Sequence, residues 1–206
     1  MIRILGKIPL NVTVACSGGV DSMAVLDFLR NGKKDIHVAH FNHGTVYARE
    51  AEEVVLEYCR KHRLPVTIGN LSQERPPKSS LEEFWRDERY GFLSEFSGPI
   101  ITAHHLSDVM EWWIFTSLHG KPKLIPHTRA DCDVVRPFLM TAKRDFYRWA
   151  HKNSVPYVED PSNDDDNLMR SHIRNNMMQT ALKVNPGFEK TMIKKIKEEF
   201  KCKKEA

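Results

Sequence analysis

Ser17-Gly18-Gly19-Val20-Asp21-Ser22 lies between a short apolar run, Val12-Thr13-Val14-Ala15, and a helix-like run, Met23-Ala24-Val25-Leu26-Asp27-Phe28-Leu29. A strand that turns on glycines straight into a helix constrains the chain more than any other feature. Glycines let the backbone turn sharply and approach a ligand closely. The first turn of the helix offers unpaired N–H groups and the positive end of the dipole, a ready anion site. Ser17 and Ser22 add hydroxyl groups. The segment reads as a phosphate-holding loop; the plainer reading is a glycine turn with a serine cap.

A lysine-bearing phosphate loop places Lys beside Ser or Thr, to reach the terminal phosphates. Here the residue before Ser22 is an acid, Asp21. A carboxylate facing phosphate repels it unless a divalent cation lies between them, and Mg²⁺ is commonly held by one or two carboxylates plus phosphate oxygens.

The first 120 residues go on alternating strand and helix signals. The strand expectations are 12–15, 36–40, 65–68 and 99–103, and the helix expectations 20–31, 48–62, 80–96 and 106–118. Ser80-Leu81-Glu82-Glu83 has the form of a capping box. Such alternation predicts an α/β fold, a parallel sheet covered by helices on both faces. Residues 121–135 read as irregular. Thr141 is expected to cap a helix over 142–152, an acidic extended loop follows at 156–169, and helices are expected at 168–183 and 187–201. The domain expectation is 1–135 for the phosphate-loop unit and 136–206 for the remainder, a small C-terminal helical extension.

Charge is informative by its placement. The net charge is +4, yet residues 183–206 hold eight lysines against four acids, so the whole excess lies in the tail. Lys194 and Lys195 belong to that set; it can contact a phosphate backbone or serve as a solvated helix face. The four cysteines, Cys16, Cys59, Cys132 and Cys202, form no Cys-x-x-Cys pair, which fits reduced thiols in a cytoplasm. No apolar run approaches a membrane span.

In an open α/β sheet, ligands bind beyond the C-terminal ends of the strands. That rule gathers the loop, His40-Phe41-Asn42-His43-Gly44, and Ala103-His104-His105-Leu106-Ser107-Asp108 leading to Glu111. Asp108 and Glu111 are three apart and share a helix face. The histidines have two readings, zinc ligands or polar contacts to a ligand, with one of His104 and His105 packing inward. Trp112 and Trp113 are adjacent and cannot both face the core. Phe84, Trp85 and Tyr90 read as core contacts.

These motifs together resemble the tRNA(Ile)-lysidine synthetase family of PP-loop ATPases. The resemblance runs over residues 12–186. It rests on Ser17–Ser22, His40–Gly44, Glu82 to Arg86 then Arg89-Tyr90, Ala103 to Glu111, Arg136-Pro137, Glu159-Asp160-Pro161-Ser162-Asn163, and Arg170 with Arg174. The chain departs from the family pattern at Thr45-Val46 and at His119-Gly120, and reads as a short form without the usual C-terminal domains.

The resemblance implies a PP-loop ATPase domain of the adenine nucleotide alpha hydrolase-like kind. It implies a ligase that adenylates the wobble cytidine of a tRNA(Ile) with a CAU anticodon and joins free L-lysine to it. ATP and Mg²⁺ are the implied cofactors, with no membrane partner and a cytoplasmic location. Ser17, Gly18, Gly19, Val20, Asp21 and Ser22 are then expected to bind ATP. Asp21 and Asp108 would hold Mg²⁺, and Asp108 and Glu111 would act as metal ligands, ammonium binders or general bases. His104 and Arg86 would stabilise phosphate or the adenylated base. Arg170, Arg174, Lys194 and Lys195 are expected near tRNA or substrate, although an ion pair to an acid such as Asp160 suits the two arginines equally. The alternatives are tRNA thiolation, which commonly uses cysteines this chain does not pair, and a catalytically idle tRNA-binding homologue.

Overall fold

Val12, Thr13 and Val14 are all buried, as are Ile36, Val38, Ile100 and Ile101. Strands without an exposed face belong inside a parallel sheet covered on both sides, and the computed structural model has that architecture. It describes residues 1–45, 47–71, 73, 75–76, 80–129, 132–159 and 169–205; for Glu82, Arg170 and residues 203–205 it describes the backbone alone. The Asp160–Asn163 motif, and Asp160 as a partner for the arginines, lie outside the described residues.

The chain alternates β1 (Asn11–Ala15), α1 (Val20–Asn31), β2 (Asp35–Asn42), α2 (Ala48–His62), β3 (Val66–Asn70), α3 (Leu81–Leu93), β4 (Ile100–Ile101) and α4 (Leu106–Leu118). Two short strands follow, β5 (Thr128–Arg129) and β6 (Val134–Val135), then α5 (Lys143–Asn153). The last described part is helical: α6 (Met169–His172), a π-helical segment (Ile173–Met177), α7 (Met178–Val184) and α8 (Phe188–Glu205). The sheet order is β3-β2-β1-β4-β6-β5. All pairings are parallel except β5 with β6, and Val14 lies between Val38 and Ile101.

Helices 20–31, 48–62 and 106–118 have the expected bounds. Three expectations need correction. Residues 121–135 hold β5 and β6 rather than irregular chain alone. The 99–103 strand is reduced to a two-residue pairing. Thr141 does not cap α5, whose N-cap is Ala142; its hydroxyl instead donates to the Arg3 carbonyl and accepts from the Arg3 amide, at 2.8 and 2.9 Å. Thr141 thereby fastens the N-terminal segment to the body of the protein. Ser80 does accept the Glu83 amide, at 3.1 Å.

Helix α1 is held from its far end. Asp27, 3% exposed, accepts hydrogen bonds from Tyr58 (2.6 Å), Arg30 (2.8 Å), Trp149 (2.8 Å) and Asn31 (2.9 Å). Three helices, α1, α2 and α5, meet on this carboxylate. Helix α8 buries Phe188, Met192 and Ile196, a stripe at four-residue spacing, within the same cluster as Met110 and Ile114 of α4. Arg144 of α5 grips Glu189 of α8 through two bonds of 2.7 Å. No described helix is long and apolar enough to cross a membrane.

Candidate functional site

The strand order reverses between β1 and β4, which opens a crevice at their C-terminal ends. Two loops meet there, the glycine loop after β1 and Thr102–His105 after β4. Gly19 is the N-cap of α1 and no side chain caps the helix. The amides of Val20, Asp21 and Ser22 precede the first helical bond, Met23 N–H to Gly19 O, and form the kind of nest that receives an anion.

The shape of the loop is set by small contacts. Ser22 Oγ accepts the Ser17 amide at 3.1 Å and donates to the Gly19 carbonyl at 3.0 Å. Ser17 Oγ lies 3.2 Å from Ser22 Oγ. The Gly18 carbonyl accepts the Val158 amide at 3.0 Å. Gly18 has φ +86°, and a Cβ there would meet Ala51 Cβ and Ala51 O at 2.9 Å. Gly18→Ala is therefore expected to cost about 1–3 kcal/mol of stability and to weaken binding of a phosphate-bearing ligand at least about tenfold, measured by denaturant melts and equilibrium binding. Gly19 differs: its Cβ would meet only Ser17 Oγ at 3.6 Å and Val158 O at 3.9 Å, so Gly19→Ala fits the ligand-free protein. A Gly18→Ala protein that melts and binds like the parent would rule this account out.

Opposite the loop, His105 lies between two acids. Its Nε2 is 3.4 Å from Asp21 Oδ2 and its Nδ1 is 3.4 Å from Asp108 Oδ2. Asp108 Oδ2 also accepts the His105 amide at 2.8 Å, across the N-terminus of α4. Burial disfavours charge on the His105 ring, but Asp108 and Asp21 outweigh it and raise the imidazole pKa. Asp21 Oδ1 is buried and has no hydrogen-bond partner among the described residues.

Glu111, 2% exposed, does not point with Asp108 into open space. It accepts Arg174 Nε at 2.8 Å and Nη2 at 3.2 Å. Arg174 projects from the π-helical segment, a distortion that recurs at functional sites, and also lies in the field of Asp108 and Asp21. The structure thus gathers Asp21, His105, Asp108, Glu111 and Arg174. The acid that pairs with Arg174 is Glu111, 63 residues away in sequence.

The other residues singled out from sequence are placed as follows. His104 is half-buried, with Nδ1 2.8 Å from Thr102 Oγ1. Arg86 is exposed, its guanidinium 5.2 Å from the centre of the Tyr90 ring, which also meets Arg129 at 4.1 Å and Arg89 at 5.7 Å. Lys194 and Lys195 are exposed on α8, Lys194 reaching Glu198 at 3.9 Å. The side chain of Arg170 is outside the described residues. His40 is buried beneath the loop with Nδ1 2.9 Å from the Cys16 carbonyl, so it supports the loop rather than facing a ligand. His43 packs between Phe41 and Trp85; burial, with Arg89 and His40, lowers its pKa to about 4 and keeps it neutral.

His105, not His104, is the histidine between the acids. Its signal is the spacing: His105 is the N-cap of α4 and Asp108 its third residue. Side chains at successive positions on an extended segment point opposite ways, and sequence alone does not say which faces the acids.

A divalent cation fits this chemistry. Among the described residues no three His, Cys, Asp or Glu side chains form a ready cage. Mg²⁺ does not need one, since it takes one or two carboxylates and completes its shell with waters and phosphate oxygens. The unpartnered Asp21 Oδ1 is an acceptor of the kind such an ion uses.

A lysine-free glycine loop, opening a helix at the reversal point of a parallel sheet and faced by carboxylates, defines an α/β nucleotide-binding domain. Residues 7–181 match the family described as the PP-loop domain, and the chain belongs to that family of ATP-binding domains. It is 29% identical over 206 residues to a tRNA(Ile)-lysidine synthase of Staphylococcus aureus (strain MW2), covering 91% of this chain and 48% of the relative. With the tRNA(Ile)-lysidine synthase of Thermotoga maritima it shares 32% identity over 196 residues, 87% of this chain and 47% of the relative. The chain spans about half the length of these curated relatives. Among solved structures, the NH3-dependent NAD synthetase of Campylobacter jejuni aligns over 93% of this chain and 86% of its own, at 14% identity and a TM-score of 0.48.

Proposed function

We propose that the chain is the catalytic part of a tRNA-modifying ligase that forms lysidine, using ATP, free L-lysine and a tRNA(Ile) with a CAU anticodon. The observation that carries the reading is Asp21, an acid in the phosphate loop where a γ-phosphate-transferring loop has lysine, in a chain similar to named tRNA(Ile)-lysidine synthases over most of its length.

The chemistry follows from a weak electrophile. Cytosine C2 resists attack by an amine because its oxygen is a poor leaving group. In the first step the O2 oxygen attacks the α-phosphorus of ATP and pyrophosphate leaves. In the second, the side-chain amine of lysine attacks C2, AMP leaves with the old oxygen, and the amine loses a proton. Ser17, Gly18, Gly19, Val20 and Ser22 receive the phosphates. Asp21 and Asp108 would hold Mg²⁺, which when bound supplies positive charge for the departing pyrophosphate. Glu111 orients Arg174, and Arg174 carries positive charge beside both aspartates. His104 and Arg86 are assigned to the adenylated base, and Lys194 and Lys195 to the tRNA backbone. Free lysine is overwhelmingly protonated at neutral pH, so an acid of the cluster first binds its ammonium and then takes the proton.

The test supplies ATP, labelled lysine and a tRNA with a CAU anticodon. The expected result is ATP-dependent label transfer, with one pyrophosphate released per label. Well-folded protein that transfers no label refutes the lysidine assignment.

A further inference from the structure

The rim of the site continues into a feature that the reaction above leaves unused. Positions 108, 112, 115 and 119 fall on one face of α4, since residues three and four apart are neighbours on a helix. Asp108 is the first of them. Trp112 is 40% exposed, and its ring stacks on Phe115 with centroids 5.6 Å apart and planes at 27°. Phe115 meets His119 at 4.4 Å, and His119 is pinned by its Nδ1, 2.8 Å from the Phe115 carbonyl. The neighbouring Trp113 instead packs on Phe188 of α8. Three aromatic rings thus run along the helix for roughly 10 Å, from Trp112 to His119, on the face that begins at Asp108, at 1.5 Å per residue.

The chain from Trp112 to Arg129 carries charge of one sign. Residues 112–129 contain no Asp or Glu and include Lys121, Lys123 and Arg129. Lys121 and Lys123 are exposed, and the Lys123 backbone is tied to α4 by its amide, which donates to Thr116 Oγ1 at 2.9 Å. Trp112 and His119 are exposed, while the half-buried Phe115 between them packs on the core cluster of α4 and α8; exposed rings on a fixed base with basic residues close by in the chain are the composition that takes unstacked bases of single-stranded nucleic acid, by stacking plus backbone charge.

We infer that the Trp112–Phe115–His119 row is a stacking platform for the unpaired bases of an RNA loop, holding the strand next to the base delivered to the site. The inference rests on the tRNA reading above. It adds the part of the RNA that is gripped and the residues that grip it.

The experiment measures binding of the full chain to an RNA stem-loop with a CAU loop and to a blunt duplex of equal length. The parent protein is expected to prefer the stem-loop. Trp112→Ala should weaken stem-loop binding about five- to hundredfold, the worth of one base–aromatic stack, and leave duplex binding little changed. Trp112→Phe should restore binding to within about threefold. ATP affinity on the same preparations checks that the site is intact. Stem-loop binding by Trp112→Ala equal to the parent overturns the inference. So does a parent dimer that Trp112→Ala turns to monomer in sedimentation, which would give the row to a second copy of the chain. Stem-loop preference lost on Trp112→Ala, in a protein that transfers no lysine, upholds the platform and removes the ligase reading.

Discussion

Replacing Asp21 with alanine is expected to lower ATP-dependent pyrophosphate release at least about a hundredfold while leaving the protein folded. The two halves of the result come from the same geometry. Asp21 Oδ1 has no hydrogen-bond partner among the described residues, and Oδ2 lies 3.4 Å from the His105 ring. Removing a carboxylate with so little invested in the fold costs little stability. In catalysis it removes one of the two acids assigned to the cation. Asp21→Asn sharpens the test, because it keeps the shape and deletes the charge. Pyrophosphate release and a thermal melt on both variants give the answer. Activity that survives at ordinary Mg²⁺ concentration would show that the cation is held elsewhere.

Asp27→Ala is expected to do the reverse and damage the fold first. Deleting the carboxylate removes the partner of the buried Tyr58 hydroxyl and of the part-buried Trp149 indole N–H and Arg30 guanidinium. Breaking a buried hydrogen-bonded charge typically costs 3–5 kcal/mol; with Arg30 31% exposed, about 2–4 kcal/mol is the expectation. For a chain of this size that is a fall in Tm of about 5–15 °C. Burial works to raise the Asp27 carboxyl, and the bonds from Tyr58, Arg30 and Trp149 outweigh it, so its pKa is lowered. Its contribution to stability is therefore complete above the unfolded carboxyl value near 3.9 and disappears as pH falls through the lower folded value. A variant that melts as the parent does at neutral pH would show that the three helices hold together without this carboxylate.

The glycine loop was legible because its meaning is local: two glycines between an apolar run and a helix leave the backbone few alternatives. The parallel sheet was legible from Val12–Ala15 and Ile36–His40, whose lack of an exposed face fits only a covered strand. β5 and β6 were not, since two residues each are too few to show a period. Thr141 was misread because a threonine before a helix has two uses, and the choice depends on Arg3, far away in the chain. The site divided along the same line. Asp21 and Asp108 come to opposite sides of one histidine, yet the sequence could not say that Glu111 would spend its carboxylate on Arg174. That pairing joins α4 to a π-helical segment, and a wider helical turn leaves no mark in composition.

The glycine loop is braced by two segments that come later in the chain: Ala51 presses on Gly18 from α2, and Val158 holds the Gly18 carbonyl. Its working shape therefore exists only once residues some 140 positions apart have come together. Occupancy of the loop is thereby linked to folding of the whole chain. Each tenfold excess of nucleotide over its dissociation constant adds about 1.4 kcal/mol to global stability, so a bound nucleotide stabilises the whole fold and not the loop alone.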